Sequence, residues 1–153
     1  GTERFTLMTH NEVCVLPAGH PLLAKTQLTP HDFEGENYVS LSGTDSYRQL
    51  LDALFLEAGV TRRMVLETHS AASVCAMVRE GVGVSVVNPL TAVDYAAQGG
   101  IAVRPFSVAV PFTVSLIRPL HRPSSDVVDA FITWLHRLAA QFPARLAAAI
   151  AYR

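Results

Sequence analysis

Between Tyr38 and Phe106 short apolar runs alternate with segments of helical period, and no other feature restricts the fold of this chain as strongly. YVSLS (38–42) is followed by a segment in which Leu50, Leu51, Leu54, Phe55 and Ala58 share one helical face and Gly59 supplies the stop. MVLET (64–68) then leads into SAASVCAMVRE (70–80), with Ala71, Val74, Cys75 and Val78 on one stripe and Gly81 as stop. VGVSVV (82–87) precedes a helix that Asn88-Pro89 opens and that runs to about Gln98, and after Gly99-Gly100 comes IAVRPF (101–106). Strands separated by helices of this length need crossovers, and right-handed crossovers make a mainly parallel sheet with helices on both faces.

The flanks add detail. VCVL (13–16) reads as a strand ended by the breakers Pro17-Ala18-Gly19-His20-Pro21. Thr29-Pro30, with Asp32 and Glu34 behind it, predicts a short helix over 30–34. In the last third, FTVSLIRP (112–119) is a strand with no helix before it, and one long helix is expected from Ser124 to Phe142, where Pro143 stops it. Its apolar stripe is Val127, Val128, Phe131, Ile132, Leu135, Leu138 and Phe142. That strand, that helix and RFTLM (4–8) lack partners in the alternating unit, so both chain ends are assigned to a second lobe whose sequence is mostly not in this chain. The last stretch, ARLAAAIAYR (144–153), is expected to be a short helix or a frayed tail. The expectation is thus an α/β chain with one complete lobe plus part of a second.

Of the 153 residues 50% are hydrophobic and 16% charged, which excludes disorder and agrees with strands covered on both sides. The net charge is −1 and the twelve basic residues are scattered, so no stripe exists to follow a phosphate backbone. Cys14 and Cys75 fall in apolar surroundings and read as free, buried thiols. No apolar run reaches the ~18 residues that a membrane span needs, no signal pattern opens the chain, and a cytoplasmic location with no membrane partner is expected.

Several stretches, in order, resemble the effector-binding domain of LysR-type transcriptional regulators. They are VLPAGHPL (15–22), LTPHDFEGENYVSLS (28–42), VCAMVREGVGVSVVNP (74–89) and PSSDVVDAFITWL (123–135). Within that family, THSAASVCAMV followed by GVGVSVVNPLTA is most similar to the branch responding to opines and to basic amino acids such as lysine. The resemblance implies a two-lobed domain like the type II periplasmic binding proteins, with 13–108 as the second lobe. Residues 1–12 and 109–142 would be segments of the first lobe, and 143–153 a C-terminal tail. It further implies a homodimer or tetramer that touches DNA only through an N-terminal helix-turn-helix, and nothing in these 153 residues looks like one.

In an open parallel sheet, ligands go to the carboxyl ends of the strands, where helix N-termini converge. Two such ends are visible: Ser42, Gly43, Thr44 and Asp45 after one strand, Thr68, His69, Ser70 and Ala71 after the next, with Asn88 opening a third helix. The first amides of each helix lack internal partners and, with the helix dipole, suit a carboxylate. Ser70 is equally suited to capping and to ligand contact, whereas capping better accounts for Asp45 and Asn88. An uncommitted Asp45 is also able to receive an ammonium group. The expected ligand is a small carboxylate-bearing effector, an amino acid or opine. The rival readings are a transporter's solute-binding protein, which shares the fold, and a two-lobed enzyme.

The enzyme reading finds no machinery. Gly81-Val82-Gly83 follows a helix and precedes a strand, the reverse of the dinucleotide fingerprint, and there is no GxSxG. No two histidines or cysteines stand at metal-ligand spacing, and Asp52 and Glu57 read as solvated charges on a helix face. No enzyme activity, cofactor or metal is expected.

Overall fold

The computed structural model describes residues 1–152. In chain order these form β1 (Thr2–Asn11), β2 (Val13–Pro17), β3 (Asn37–Leu41), α1 (Ser46–Glu57), β4 (Arg63–Thr68), α2 (Ala71–Arg79), β5 (Ser85–Val87) and α3 (Pro89–Ala97). There follow β6 (Ile101–Pro105), β7 (Pro111–Pro119) and α4 (Asp126–Ala151). The short helix expected near residue 30 is a single 3-10 turn, Pro30–Phe33, closed by a capping box between Thr29 and Asp32.

β3 and β4 pair in parallel, with Leu41 opposite Thr68. A parallel bridge between Tyr38 and Val84 joins β3 to the residues entering β5. β2 lies between β5 and β6 and runs antiparallel to both, Val13 standing opposite Val87 on one side and Pro105 on the other. The spatial order is therefore β4-β3-β5-β2-β6, in which β2 alone is reversed. Each helical crossover returns the chain to the same end of the sheet, which is why β3, β4, β5 and β6 share one direction; β2 enters from β1 without a crossover and is free to oppose them.

Alternation along β2 divides the interior in two. Cys14 and Leu16 point into one core with Phe33, Tyr38 and the α1 residues Leu51 and Phe55. Val13 and Val15 point into the other, with Val39, Val74, Cys75, Val78 and the α3 residue Ala92. Helices thus cover both faces. In the first core Phe33 meets Phe55 edge-on at 5.4 Å, and the Arg62 guanidinium lies 4.0 Å from the Phe55 ring centroid. Burial raises both thiols, Cys14 well above the ordinary range and Cys75 to about 12, so each behaves as a small hydrophobe. Of the stripe expected on α1, Leu51 and Phe55 are buried and Leu54 and Ala58 pack at the margin, but Leu50 is 49% exposed. Asp52, expected to be merely solvated, bridges Arg48 and Arg62 at 2.7 and 2.5 Å.

The glycine pair at 81 and 83 has a packing explanation. Gly81 (φ +79) ends α2 in the left-handed region. A Cβ at Gly83 would stand 2.5 Å from the Asn37 carbonyl oxygen, at the point where β3 and the approach to β5 come together.

β1 and β7 form a separate antiparallel ribbon, from Thr2 opposite Pro119 to Asn11 opposite Pro111. Pro143 does not stop α4, contrary to the expectation, and residues 143–151 continue it, so the last stretch takes the helical of its two expected forms, joined to α4 rather than separate from it. Proline removes one helical hydrogen bond and crowds the preceding turn at a cost of about 3 kcal/mol. Packing on both sides offsets that cost: Phe142 is buried against His10 at 5.1 Å between centroids, and Leu146, Ala149 and Ile150 lie on the second core. No helix among the described residues is long and apolar enough to cross a membrane.

Candidate functional site

Because β3, β4 and β5 point the same way, the helices that follow them start at one edge of the sheet. The Leu41–Thr68 pairing sets the loop 42–45 beside the loop 69–70, and the Tyr38–Val84 bridge, three residues short of Leu41 and of Val87, brings Asn88 level with Ser42. The nine residues singled out from the sequence therefore come together on one edge, at the N-termini of α1, α2 and α3.

Three of them are occupied as caps. Asp45 Oδ1 accepts from the Tyr47 and Arg48 amides at 2.8 and 3.1 Å, Ser70 Oγ from Ser73 at 3.4 Å, and Asn88 Oδ1 from Thr91 at 2.9 Å. The remaining polar groups are less committed. Ser42 and Thr44 share a hydroxyl–hydroxyl bond of 3.1 Å, while the Gly43 carbonyl accepts from the Gln49 amide side chain at 3.1 Å. His69 is exposed, Thr68 closes β4, and Ala71 opens α2 with only a methyl group beside its amide.

Arg48 holds this edge in shape. Its guanidinium donates to the Leu41 carbonyl at 2.8 Å, to Asp52 at 2.7 Å and to Glu67 at 2.9 Å, tying the first turn of α1 to the ends of β3 and β4. Its Nε and Nη1 donors are engaged within the protein. Arg104, almost fully buried, is likewise spent on the carbonyls of Leu23, Lys25, Val103 and Tyr152. A carboxylate at this edge would meet chiefly the free helix amides and the hydroxyls of Ser42 and Thr44.

Sequence reasoning missed one residue of this edge, Glu12. It lies between β1 and β2, where its amide donates to the Val110 carbonyl at 2.8 Å, so the two segments linking the ribbon to the lobe cross and pair here. Since Val13 is level with Val87, Glu12 belongs to the edge that carries Asn88. The Tyr47 ring packs at 5.8 Å on Phe112 just beyond the crossing, closing the space between α1 and β7. Glu12 is buried, and burial first and the Asp45 carboxylate second push its carboxyl up to about 8. The available signal was a lone acid directly before the apolar run VCVL.

No group of three or more potential metal ligands occurs among the described residues. The LysR substrate binding domain family model matches residues 1–140. The chain is 74% identical over 131 residues to the transcriptional activator protein LysR of Escherichia coli K12, a match covering 86% of this chain and 42% of that protein. It is 26% identical over 118 residues to the octopine catabolism/uptake operon regulatory protein OccR of Rhizobium meliloti, covering 77% and 38%. Both relatives are regulators by name and not enzymes, and the chain spans about two fifths of their length. Among solved structures, the regulatory domain of Synechocystis CcmR in complex with 2-PG superposes with a TM-score of 0.70 at 17% identity, covering 90% of this chain and 67% of that one. At that identity the likeness concerns the fold alone. The chain belongs to the LysR substrate-binding domain family.

Proposed function

We propose that the edge formed by residues 42–45, 68–71 and 88 binds a small carboxylate-bearing effector, an amino acid or an opine-like acid, and that occupancy controls DNA binding by a helix-turn-helix elsewhere in the regulator. The observation that carries this reading is the convergence of three helix N-termini on one sheet edge, fixed by the Leu41–Thr68 and Tyr38–Val84 pairings. Amides and dipoles at such ends favour an anion by about 0.3 to 1 kcal/mol each when partly exposed. The hydroxyls of Ser42 and Thr44 add donors without adding bulk. The octopine operon named for OccR supports the narrower choice of an opine-like acid.

In this reading residues 13–108 are one lobe, and residues 1–12 and 109–142 are parts of another that closes over the edge. The effector shifts the lobes only by its difference in affinity between the two arrangements, and contacts between copies in a homodimer or tetramer relay the shift. The test is a titration of the full-length regulator with lysine, arginine, ornithine, octopine and unrelated acids, read as thermal stabilisation. Replacing Thr44 and Ser70 together by leucine should weaken binding at least tenfold while the fold survives. Unchanged affinity in that double variant would remove the edge from the site.

A further inference from the structure

We propose that Glu12 is the cation-recognising residue of this site, so that the effector carries an ammonium or guanidinium group which the Glu12 carboxylate receives while the effector's own carboxylate lies at the helix N-termini. The inference rests on the effector reading above and adds to it the second charge of the ligand.

Its first support is position. Glu12 is 3% exposed, yet it stands at the strand crossing on the same edge as Asn88, with its amide held by Val110. The second is lack of a partner. No hydrogen bond or ion pair among the described residues involves its side chain, although a carboxylate offers about four lone-pair sites, and its oxygens are not among the fully enclosed polar atoms, so they keep contact with the space outside. A largely buried charge without a partner is disfavoured, so an acid kept in that condition with its oxygens still reachable fits a partner that arrives from outside. The third is the sign of the surroundings. The charge acting on Glu12 is another carboxylate, Asp45, and Asp45 has committed only Oδ1 to the α1 amides. The Nε and Nη1 of Arg48 are engaged by Asp52, Leu41 and Glu67 and not by Glu12 or Asp45, so neither of these two acids is paired with that guanidinium.

A cation answers all three conditions. An ammonium offers three donors to the pair, a guanidinium five. A bare divalent metal is a poorer occupant, because two carboxylates fall short of the six or more oxygens such ions take and no third acidic ligand joins them. The effector class is therefore an amino acid or guanidino acid carrying both charges, not a simple organic acid.

The deciding experiment is calorimetric titration of the full-length regulator, as wild type, Glu12→Gln and Glu12→Asp, with lysine, arginine and octopine and with the cation-free acids hexanoate and adipate. Circular dichroism melts establish that each variant is folded. The expected result is binding of at least one cationic acid by the wild type, binding of the cation-free acids at least tenfold weaker, and a loss of tenfold or more for that cationic acid in Glu12→Gln. Glu12→Asp, which keeps the charge but retracts it, should lose less. Unchanged affinity in Glu12→Gln, or hexanoate and adipate binding as tightly as the amino acids, overturns the cation subsite and leaves the carboxylate reading intact. If none of the five acids binds the folded wild-type regulator, the carboxylate reading fails and the subsite fails with it.

Discussion

The sheet β4-β3-β5-β2-β6 and the β1·β7 ribbon with the first half of α4 draw on the same apolar residue types, and they differ in what those residues touch. In the sheet, Val15, Val39, Val74 and Phe55 have essentially no exposed surface, and both faces carry a helix. In the ribbon and its helix, Phe5, Ile117, Val127, Phe131 and Trp134 face water, Val127 to 79%. The division even runs through one helix. Before Phe142 the stripe of α4 is mostly bare, whereas beyond it Leu146, Ala149 and Ile150 pack on the second core. Amphipathic spacing thus tells which face of a helix seeks cover and says nothing about whether the cover lies in the same chain. Apolar residues exposed along one face are suited to being covered by further protein, and the proposed two-lobe arrangement would supply that cover.

The sharpest way to break this comparison is to remove one aromatic ring from each region. Phe55 touches Phe33, Tyr38 and Phe106 and carries Arg62 over its face. Phe55→Ala should cost about 3 to 5 kcal/mol, the range for deleting a fully buried aromatic. Trp134→Ala in this chain should stay within about 0.5 kcal/mol, as surface changes do. Urea denaturation of the two variants checks both values. Similar losses would mean that the exposed stripe is already buried, by self-association for instance, and the contrast would disappear.

Glu12 lies on the seam between the two regions and tests it through pH. Its folded carboxyl is raised from 4.5 to about 8, chiefly by burial and further by Asp45, so the folded protein holds the proton more tightly than the unfolded chain. Stability is therefore intact below about pH 4.5 and falls as pH rises towards 8, with no further loss from this group above that. At ~1.4 kcal/mol per unit the ceiling is about 5 kcal/mol, and roughly 2 to 4 is expected once relaxation around the carboxylate is counted. Glu12→Gln should match the wild type near pH 4.5 and melt higher at pH 9. Parallel melting curves for the two proteins across that range would show that Glu12 ionises without penalty and is not buried in solution.

Much of the lobe was legible because local and tertiary preferences agree there. Asp45, Ser70 and Asn88 each follow a strand and each caps the helix where the residue types placed it. The failures have tertiary causes. Pro143 reads locally as a stop, but Phe142 on one side and Leu146 on the other are held by contacts that no helical pattern records. Leu50 matched the α1 stripe by spacing and still faces water, since α1 covers the sheet only through Leu51 and Phe55. Glu12 was passed over because its meaning comes from two ladders, β2 with β5 and β2 with β6, that carry it to the edge where α1 and α3 begin. Spacing found the strands and the caps; the crossing between lobe and ribbon depends on pairings of residues about a hundred positions apart.

A smaller effect tests how β3 and β5, the centre of the sheet, are held together. At Gly83 an added Cβ would approach the Asn37 carbonyl oxygen to 2.5 Å and its carbon to 2.8 Å, both backbone atoms that cannot turn aside. The Val84 amide donates to that same carbonyl at 2.8 Å, and Val39 donates back to Val84 at 3.0 Å. Gly83→Ala must therefore stretch the link between the β3·β4 pair and the rest of the sheet, at about 1 to 3 kcal/mol by the usual measure of overpacking. Gly43→Ala, where a Cβ meets open space and φ lies outside the left-handed region, is the matched control and should change stability by less than about 0.5 kcal/mol. Amide exchange separates the outcomes. Faster exchange at Val39 and Val84 in Gly83→Ala, with the β1·β7 amides unchanged, means the strain stays within the lobe; equal acceleration in the ribbon means that lobe and ribbon open as one unit and that the crossing at Glu12 transmits the strain.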